Sequence, residues 1–432
     1  MSTNLSALIT RGLSSKNSGT SAGRESRFSY PVILLIIAGA LIALSTLRVV
    51  TGATSITAST QYAAALSLAV PIGLAGLGGL WAERAGIINI GLEGMMMLGT
   101  FAAGWIGWQH GPWMAALAGV LGGALGGLVH AIATVTFGVD HIVSGVAINI
   151  LALGTVQFLA KLWFGAEGSA ASAAGGNDKQ SPPMEDMPTL TVPLLADWLG
   201  RIEQQHWFFV SDAAGILRAG VNDVSWLTLV AVALFIGTFY ILWRSPFGLR
   251  LRSCGESPLS AESLGVNVYT YKYYAVVISG AMAGLGGAFL AIGVHFYQDQ
   301  MTGGRGYIGL ATMIFGNWRP GGVALGAGLF GFTDALRLRG GGTTVHALLL
   351  LFAVLLIGIA LWKLRKGHKR QALINSVIGG LLVVWYVTTE TVPRELVAAS
   401  PYLTTLLVLA LFSQRLRVPK AIGKPYRRGQ GK

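Results

Sequence analysis

Residues 83–97 read ERAGIINIGLEGMMM. A charge pair, Glu83-Arg84, opens the stretch, and Asn89 and Glu93 follow between two long apolar runs. If the segment is helical, an i, i+4 spacing sets the amide and the acid on one face, about one turn apart. Their purpose depends on whether the flanking runs form a water-soluble core or lie in lipid.

Composition answers that. Of 432 residues, 53% are hydrophobic and 11% charged, with a mean hydropathy of +0.60. Soluble domains carry about 25% charged residues, so this chain lacks the polar surface to cover a water-soluble fold. Apolar runs recur along nearly its whole length, long enough to cross a hydrocarbon core of about 30 Å. The fold class is all-α, a polytopic helical membrane protein. The 60 glycines suit lipid-embedded helices that must approach closely.

About twelve spans are expected, near 31–50, 61–80, 87–108, 113–136, 142–163, 226–243, 273–294, 305–316, 320–336, 346–362, 372–388 and 400–414. The 305–316 run is short enough for a half-helix or re-entrant element. With the N-terminus inside, most of the 31 Lys and Arg fall on inner segments, so both termini are expected to be cytoplasmic. The tail RLRVPKAIGKPYRRGQGK then reads as a topology anchor, and the net charge of +13 does not imply a nucleic-acid polymer as partner. No cleavable signal peptide is apparent. The lone Cys254 lies in an inner loop, which leaves no disulfide framework or CxxC metal pair.

Residues 1–30 read as a disordered basic cytoplasmic tail. A first helix group, 31–163, is followed by a long outer loop, 164–225. The first half of that loop looks like a flexible linker, and LLADWLGRIEQQHWFF looks like a surface helix. A second helix group, 226–340, contains the inner loop 244–272. A faint repeat is present: Arg84-Ala85-Gly86 precedes Gly91, and Arg319-Pro320-Gly321 precedes Gly326, at the same offset. Internal duplication is common in transporters.

Enzyme and cofactor signatures are absent. There is no GxxxxGK[ST] phosphate loop and no HExxH, so no cofactor, metal or catalytic residue is expected. The one GxGxxG match, Gly326-Gly328-Gly331, lies inside an apolar run and reads as helix packing, as do the pairs Gly123/Gly127 and Gly280/Gly284.

Glu93 stands apart from these. An acid at membrane depth costs a few kcal/mol, so it must face protein or water. It acts either as helix glue or as part of a solute path, with Asn89, Asn149 and Gln157 as further path candidates and Asp334 as a second buried acid. In the loop 244–272, Ser257 suits an N-cap, Pro258 the first helical position and Gly265 the position past the end. A helix of about seven residues cannot hold its shape alone. It either rests on the lipid surface or docks on an ATPase, burying Ala261 and Leu259 there while Glu262 meets a cation of the partner.

The stretches ERAGIINIGLEGMMMLGTF, HIVSGVAINILALG, GLRLRSCGESPLSAESLGVNV, SGAMAGLGGAFLAIG, TGGRGYIGLATMIFGNWRPGGVALGAGLFGFTDALRLR and GKPYR run in one order. They resemble the nucleoside-type permeases of ATP-binding-cassette importers, a branch of the branched-chain amino-acid and simple-sugar permease group. The resemblance covers about 60–340 and 398–428. It implies a transport subunit that forms half of a pathway for nucleosides or related sugar-containing solutes. Its implied partners are a second homologous permease, a cytoplasmic ABC ATPase and an extracellular lipoprotein that binds the solute. The coupling role then falls on Glu256, Ser257, Pro258, Ala261 and Gly265. Two departures stand out: the long loop 164–225, and residues 341–397, which read as a helix pair inserted into a core of about ten spans. The rival readings are a simple-sugar or branched-chain amino-acid permease, a proton-coupled secondary transporter and a membrane-embedded enzyme. The expected location is the bacterial cytoplasmic membrane, in contact with its lipids.

Overall fold

A computed structural model describes residues 30–165, 170–339, 341–401, 403 and 416–429. Residues 1–29 of the N-terminal basic tail and most of the last expected span lie outside the described residues. The chain divides into two compact units, residues up to Ala43 and from Leu44 on. Among the described residues the first unit is helical from Tyr30 to Ala43.

Among the described residues helices dominate, with one two-stranded ribbon. Those of six residues or more are, in chain order, α1 (Tyr30–Thr51), α2 (Ser59–Arg84), α3 (Leu92–His110), α4 (Pro112–Ala131) and α5 (His141–Trp163). Then come α6 (Pro193–Gln204), α7 (Val210–Arg218), α8 (Trp226–Arg244), α9 (Pro246–Glu256) and α10 (Pro258–Ser263). Last are α11 (Val268–Val294), α12 (Arg305–Phe315), α13 (Pro320–Leu338), α14 (Gly342–Arg365) and α15 (Lys369–Thr388). Local chemistry sets several starts: Asp140 caps α5 by accepting from the amides of Ile142 and Val143 at 2.9 and 3.0 Å, and Ser245 caps α9 through Gly248 at 3.1 Å.

Among the described residues seven helices are long and apolar enough to cross a membrane: α2, α4 with its π-helical extension, α5, α8, α11, α14 and α15. The expected spans at α3 and α13 form as 19-residue helices, with Glu93 in the first and Asp334 in the second. The short run becomes α12, 11 residues and so about 16 Å long. That is half a bilayer core.

Glycines set how closely the central helices pack. A β-carbon on Gly123 of α4 would lie 2.2 Å from the Gly280 carbonyl of α11, and one on Gly284 would lie 2.2 Å from the Gly119 carbonyl. The two backbones therefore touch, as the small-residue spacing predicts. Gly331 of the GxGxxG match likewise meets the Ala65 carbonyl of α2. Packing accounts for Gly331 and for Gly326, whose β-carbon would lie 3.1 Å from Thr312 Cβ, while Gly328 has nothing within 4 Å. In contrast, α14 and α15 form a helical hairpin whose side chains, such as Phe352, Leu381 and Val387, are largely exposed in the isolated chain.

The loop 164–225 departs from the expected linker. Four backbone groups fasten it: Ser181 donates to the Tyr297 carbonyl at 3.0 Å, Met184 to His295 at 2.7 Å, Asp299 to Lys179 at 2.8 Å, and Trp226 to Pro188 at 3.2 Å. Met184 and Met187 enter the apolar core, a burial that a low-hydrophobicity stretch does not advertise. Further on, α6 and α7 form an amphipathic pair joined by Arg218–Glu203 at 3.0 Å. Strands β1 (Thr189–Leu190) and β2 (Val224–Ser225) close the loop at its base.

The α4–α11 contact makes a direct expectation. Gly284→Leu should abolish recovery of folded protein in mild detergent, because no rotamer fits against a carbonyl at 2.2 Å. Gly293→Leu on the same helix, with nothing within 4 Å of its position, should be recovered like wild type in size-exclusion profiles.

Candidate functional site

The chain between α2 and α3, residues 85–91, is not helical. Asn89 therefore does not share a helix face with Glu93, as the spacing predicted; it lies in the turn, and α3 begins at Leu92. Non-helical backbone among apolar helices persists only where its polar groups find partners. Here they do. The Ile87 amide returns to Ala82 at 3.0 Å, and the Ile88 amide donates to His141 Nδ1 at 3.3 Å. The Ile88 carbonyl faces His130 Nε2 at 3.0 Å, and the Ile90 carbonyl accepts from Asn149 Nδ2 at 3.0 Å.

These bonds orient both imidazoles. A carbonyl only accepts, so His130 carries a hydrogen on Nε2, while its Nδ1 lies 2.8 Å from Ser144 Oγ. His141 accepts an amide at Nδ1, which leaves its hydrogen on Nε2. Asn89 itself donates to Ser279 Oγ of α11 at 2.8 Å, fastening the turn to the central helix.

Glu93 reaches across to a neighbouring helix. Oε1 accepts from the Gly304 amide at 2.9 Å and Oε2 from the Gly306 amide at 2.7 Å. Those are the leading amides of α12, whose own N-terminal residues supply no side-chain cap. A carboxylate from α3 thus caps α12 across the bundle, where the helix dipole also favours negative charge. The approach requires glycine: a β-carbon at Gly306 would lie 2.6 Å from Glu93 Cα. Asn149 completes the junction, accepting from the Gly94 amide at 2.7 Å and donating to Tyr307 Oη at 3.0 Å. Glu93, Asn149 and α12 come together; Gln157 stands apart, exposed and donating to Asp299 at 3.0 Å.

The other end of α12 is held by the charge pair that opens the stretch. The Trp318 indole donates to Glu83 Oε2 at 2.6 Å, while Arg84 donates to the Trp318 carbonyl through Nε at 3.0 Å and Nη2 at 2.6 Å. Asn317 and Trp318 both adopt positive φ, 51° and 54°, a turn that needs such outside support. Arg305 reaches Asp334 at 2.6 Å, and Arg337 reaches the other oxygen of that acid at 2.7 Å. Asp334 is therefore neutralised within the protein and braces α12 against α13. Sequence reasoning did not single out Arg305, Trp318, Tyr307, His130, His141 or Ser279. Intramembrane polarity is the signal that could have found them.

On the opposite side of the turn, the expected coupling helix forms as α10, with Pro258 at its start and Gly265 at φ +81° just beyond. Ser257 occupies the cap position, but its hydroxyl pairs with Ser260 Oγ at 2.7 Å rather than with an amide. Ala261 faces inward onto Cys254 and Val268, not outward as expected. Glu262 meets the chain's own Arg428 at 3.6 Å. The exposed apolar groups are Leu259 and Leu264, 43% and 85% exposed. Helical periodicity could not tell these faces apart because the helix is under two turns long.

Residues 61–361 match the family model described as branched-chain amino acid transport system / permease component. The chain belongs to this family. Its match ends inside α14, the first helix of the expected inserted pair. Similar over nearly their whole lengths are the guanosine ABC transporter permease protein NupQ of Bacillus subtilis, 35% identical over 85% of this chain and 96% of NupQ, and the nucleoside ABC transporter permease protein NupC of Lactococcus lactis, 32% identical over 84% and 94%. The putative glucose ABC transporter permease protein TsgC13 of Haloferax volcanii is 31% identical over 82% and 93%. No solved structure matches. The permease is a multi-pass membrane transport component, not an enzyme, and its family implies ATPase and solute-binding partners.

In this permease Glu93→Gln puts an NH2 group against one of two amide donors, an unmet bond worth about 1–3 kcal/mol. Uptake at equal membrane level should fall while the protein still inserts. Normal uptake, or loss of the protein from the membrane, would remove Glu93 from the transport machinery.

Proposed function

We propose that this permease forms half of the pathway that imports nucleosides, with α12 and the 85–91 turn as the element that changes state. One observation carries the solute class: the near full-length similarity to a permease named for guanosine and another named for nucleosides. In this reading a solute-binding lipoprotein delivers the nucleoside outside, and a second homologous permease supplies the other half of the cavity. ATP binding and hydrolysis on cytoplasmic ATPases then alternate its access. Glu93 and Asn149 brace the wall of that cavity by holding the N-terminus of α12, Asn89 fastens the turn, and Gln157 sits nearer the outer mouth. A half-helix gripped at both ends moves as one body, so small shifts of the turn reposition its whole length.

The charge distribution supports an arrangement in the bacterial cytoplasmic membrane with both termini and the 366–368 turn inside. Gly367→Cys should resist an impermeant maleimide applied from outside. Cys254 adds little background, since burial pushes its thiol up to about 11; labelling from outside would reverse the orientation.

A glucose carrier is the second reading, favoured by the similarity to TsgC13. Vesicles holding the permease with its neighbouring subunits should take up labelled guanosine on addition of ATP, in preference to glucose or leucine. Uptake abolished by a proton uncoupler, with ATP still present, would point to a secondary transporter instead.

Docking of the ATPase is assigned to α10, and its exposed leucines rather than Ala261 supply the contact. Leu264→Asp would bury an unpaired charge there, costing about 2–5 kcal/mol by analogy with other interfaces. The ATPase should then co-purify poorly from membranes containing equal permease. Full recovery would mean that α10 rests on lipid.

A further inference from the structure

The segment 416–429 returns across the face of the bundle that carries α10, and it touches five elements: the turn after α12, α9, the 85–91 turn, α10 and α11. The Arg417 amide donates to Asn317 Oδ1 at 2.6 Å, in the turn after α12. The Lys420 amide faces Glu256 Oε2 at 3.4 Å, and the Ala421 amide donates to the Gly255 carbonyl at 2.9 Å, both at the end of α9. The Gly423 amide donates to the Gly86 carbonyl at 3.1 Å, at the start of the 85–91 turn. Beyond that the Tyr426 ring packs on Tyr269 with centroids 5.4 Å apart, and Arg428 approaches Glu262 of α10.

These contacts converge on one place. A β-carbon on Gly86 would lie 3.3 Å from both the Ala421 carbonyl and Gly255 Cα, and one on Gly255 would lie 2.2 Å from the Arg84 carbonyl. Three backbones, 84–86, 255 and 421–423, are in direct contact there, and Ala421 is buried. A segment left in water would keep its conformational freedom; fixing this one requires specific bonds to offset that loss. They fall on the two segments that a coupled transporter must connect: α9–α10 on one side, and on the other the turn whose two flanking acids hold α12.

We propose that residues 416–428 are a tie that carries movement of α9–α10 to the 85–91 turn and α12. The proposal rests on the reading of α10 as the ATPase-docking helix. A plain structural strut would lower the amount of folded or ATPase-bound permease when broken. A tie would instead leave the assembly intact and weaken the link between hydrolysis and transport, because an element with two arrangements that both sites bias carries coupling between them.

Gly423 is the place to cut it. Gly423→Pro removes the amide that reaches Gly86 and cannot adopt the observed φ of +74°. Gly423→Ala keeps the amide, strains the left-handed backbone and sets a β-carbon 2.9 Å from Ile88 Cδ1, a flexible tip that has to shift. Each variant is co-produced with the cognate ATPase and second permease in vesicles. ATPase recovery, ATP hydrolysis and uptake are measured, using whichever of guanosine, glucose or leucine the wild type imports. Recovery and hydrolysis should stay near wild type while uptake falls about tenfold with Pro and less with Ala, within the usual range for coupled sites. Wild-type uptake in both variants overturns the proposal, and so does a joint loss of ATPase recovery and uptake. If the Pro variant does not accumulate, the Ala variant decides alone. Leu264→Asp tests the docking assignment separately, since it reads ATPase recovery without touching the tail.

Discussion

The architecture depends on a carboxylate meeting the unpaired amides of a helix that starts inside the bundle. An 11-residue helix is too short to cross a bilayer and marginal on its own, and its first amides would be orphaned in an apolar surrounding. Glu93 meets two of them at 2.9 and 2.7 Å. Without such a group α12 could not begin where it does, and α3 and α13 would lose the element between them.

The same short stretch grips both ends of that helix. Glu93 holds its N-terminus, while Glu83 and Arg84 hold Trp318 in the turn that follows it. Between these grips the chain is non-helical and fixed by His130, His141, Asn149 and Ser279 from three other helices. A broken segment wired in this way is stiff within itself, yet it borrows its order from neighbours. Its position therefore follows theirs. That is the property a passive pore subunit needs if an attached ATPase is to drive it.

The two stretches of the faint internal repeat have a physical relation in the fold. Arg84 ends α2 and donates to the Trp318 carbonyl in the turn after α12, and a β-carbon on Gly76 of α2 would lie 3.0 Å from the Gly309 carbonyl of α12. Whatever their origin, the glycine-rich runs before each arginine serve the same end, letting α2, α12 and α13 close on one another.

Composition and periodicity alone determined the class, because a chain so poor in charge has no other way to satisfy its surface. They also set the helices, the half-length of α12, the boundaries of α10 and the special status of Glu93, since an acid among apolar residues has to be paired. Ordered motifs carried the family. Only the tertiary structure decided what each polar group pairs with. It moved Asn89 off the helix, turned Ala261 inward and folded the linker-like stretch around Met184 onto the core. It also laid the basic tail against Gly86 and Gly255. The reason is common to all four. Each outcome depends on a partner more than thirty residues away or on the choice between two faces of a very short element, and neither leaves a local pattern to read.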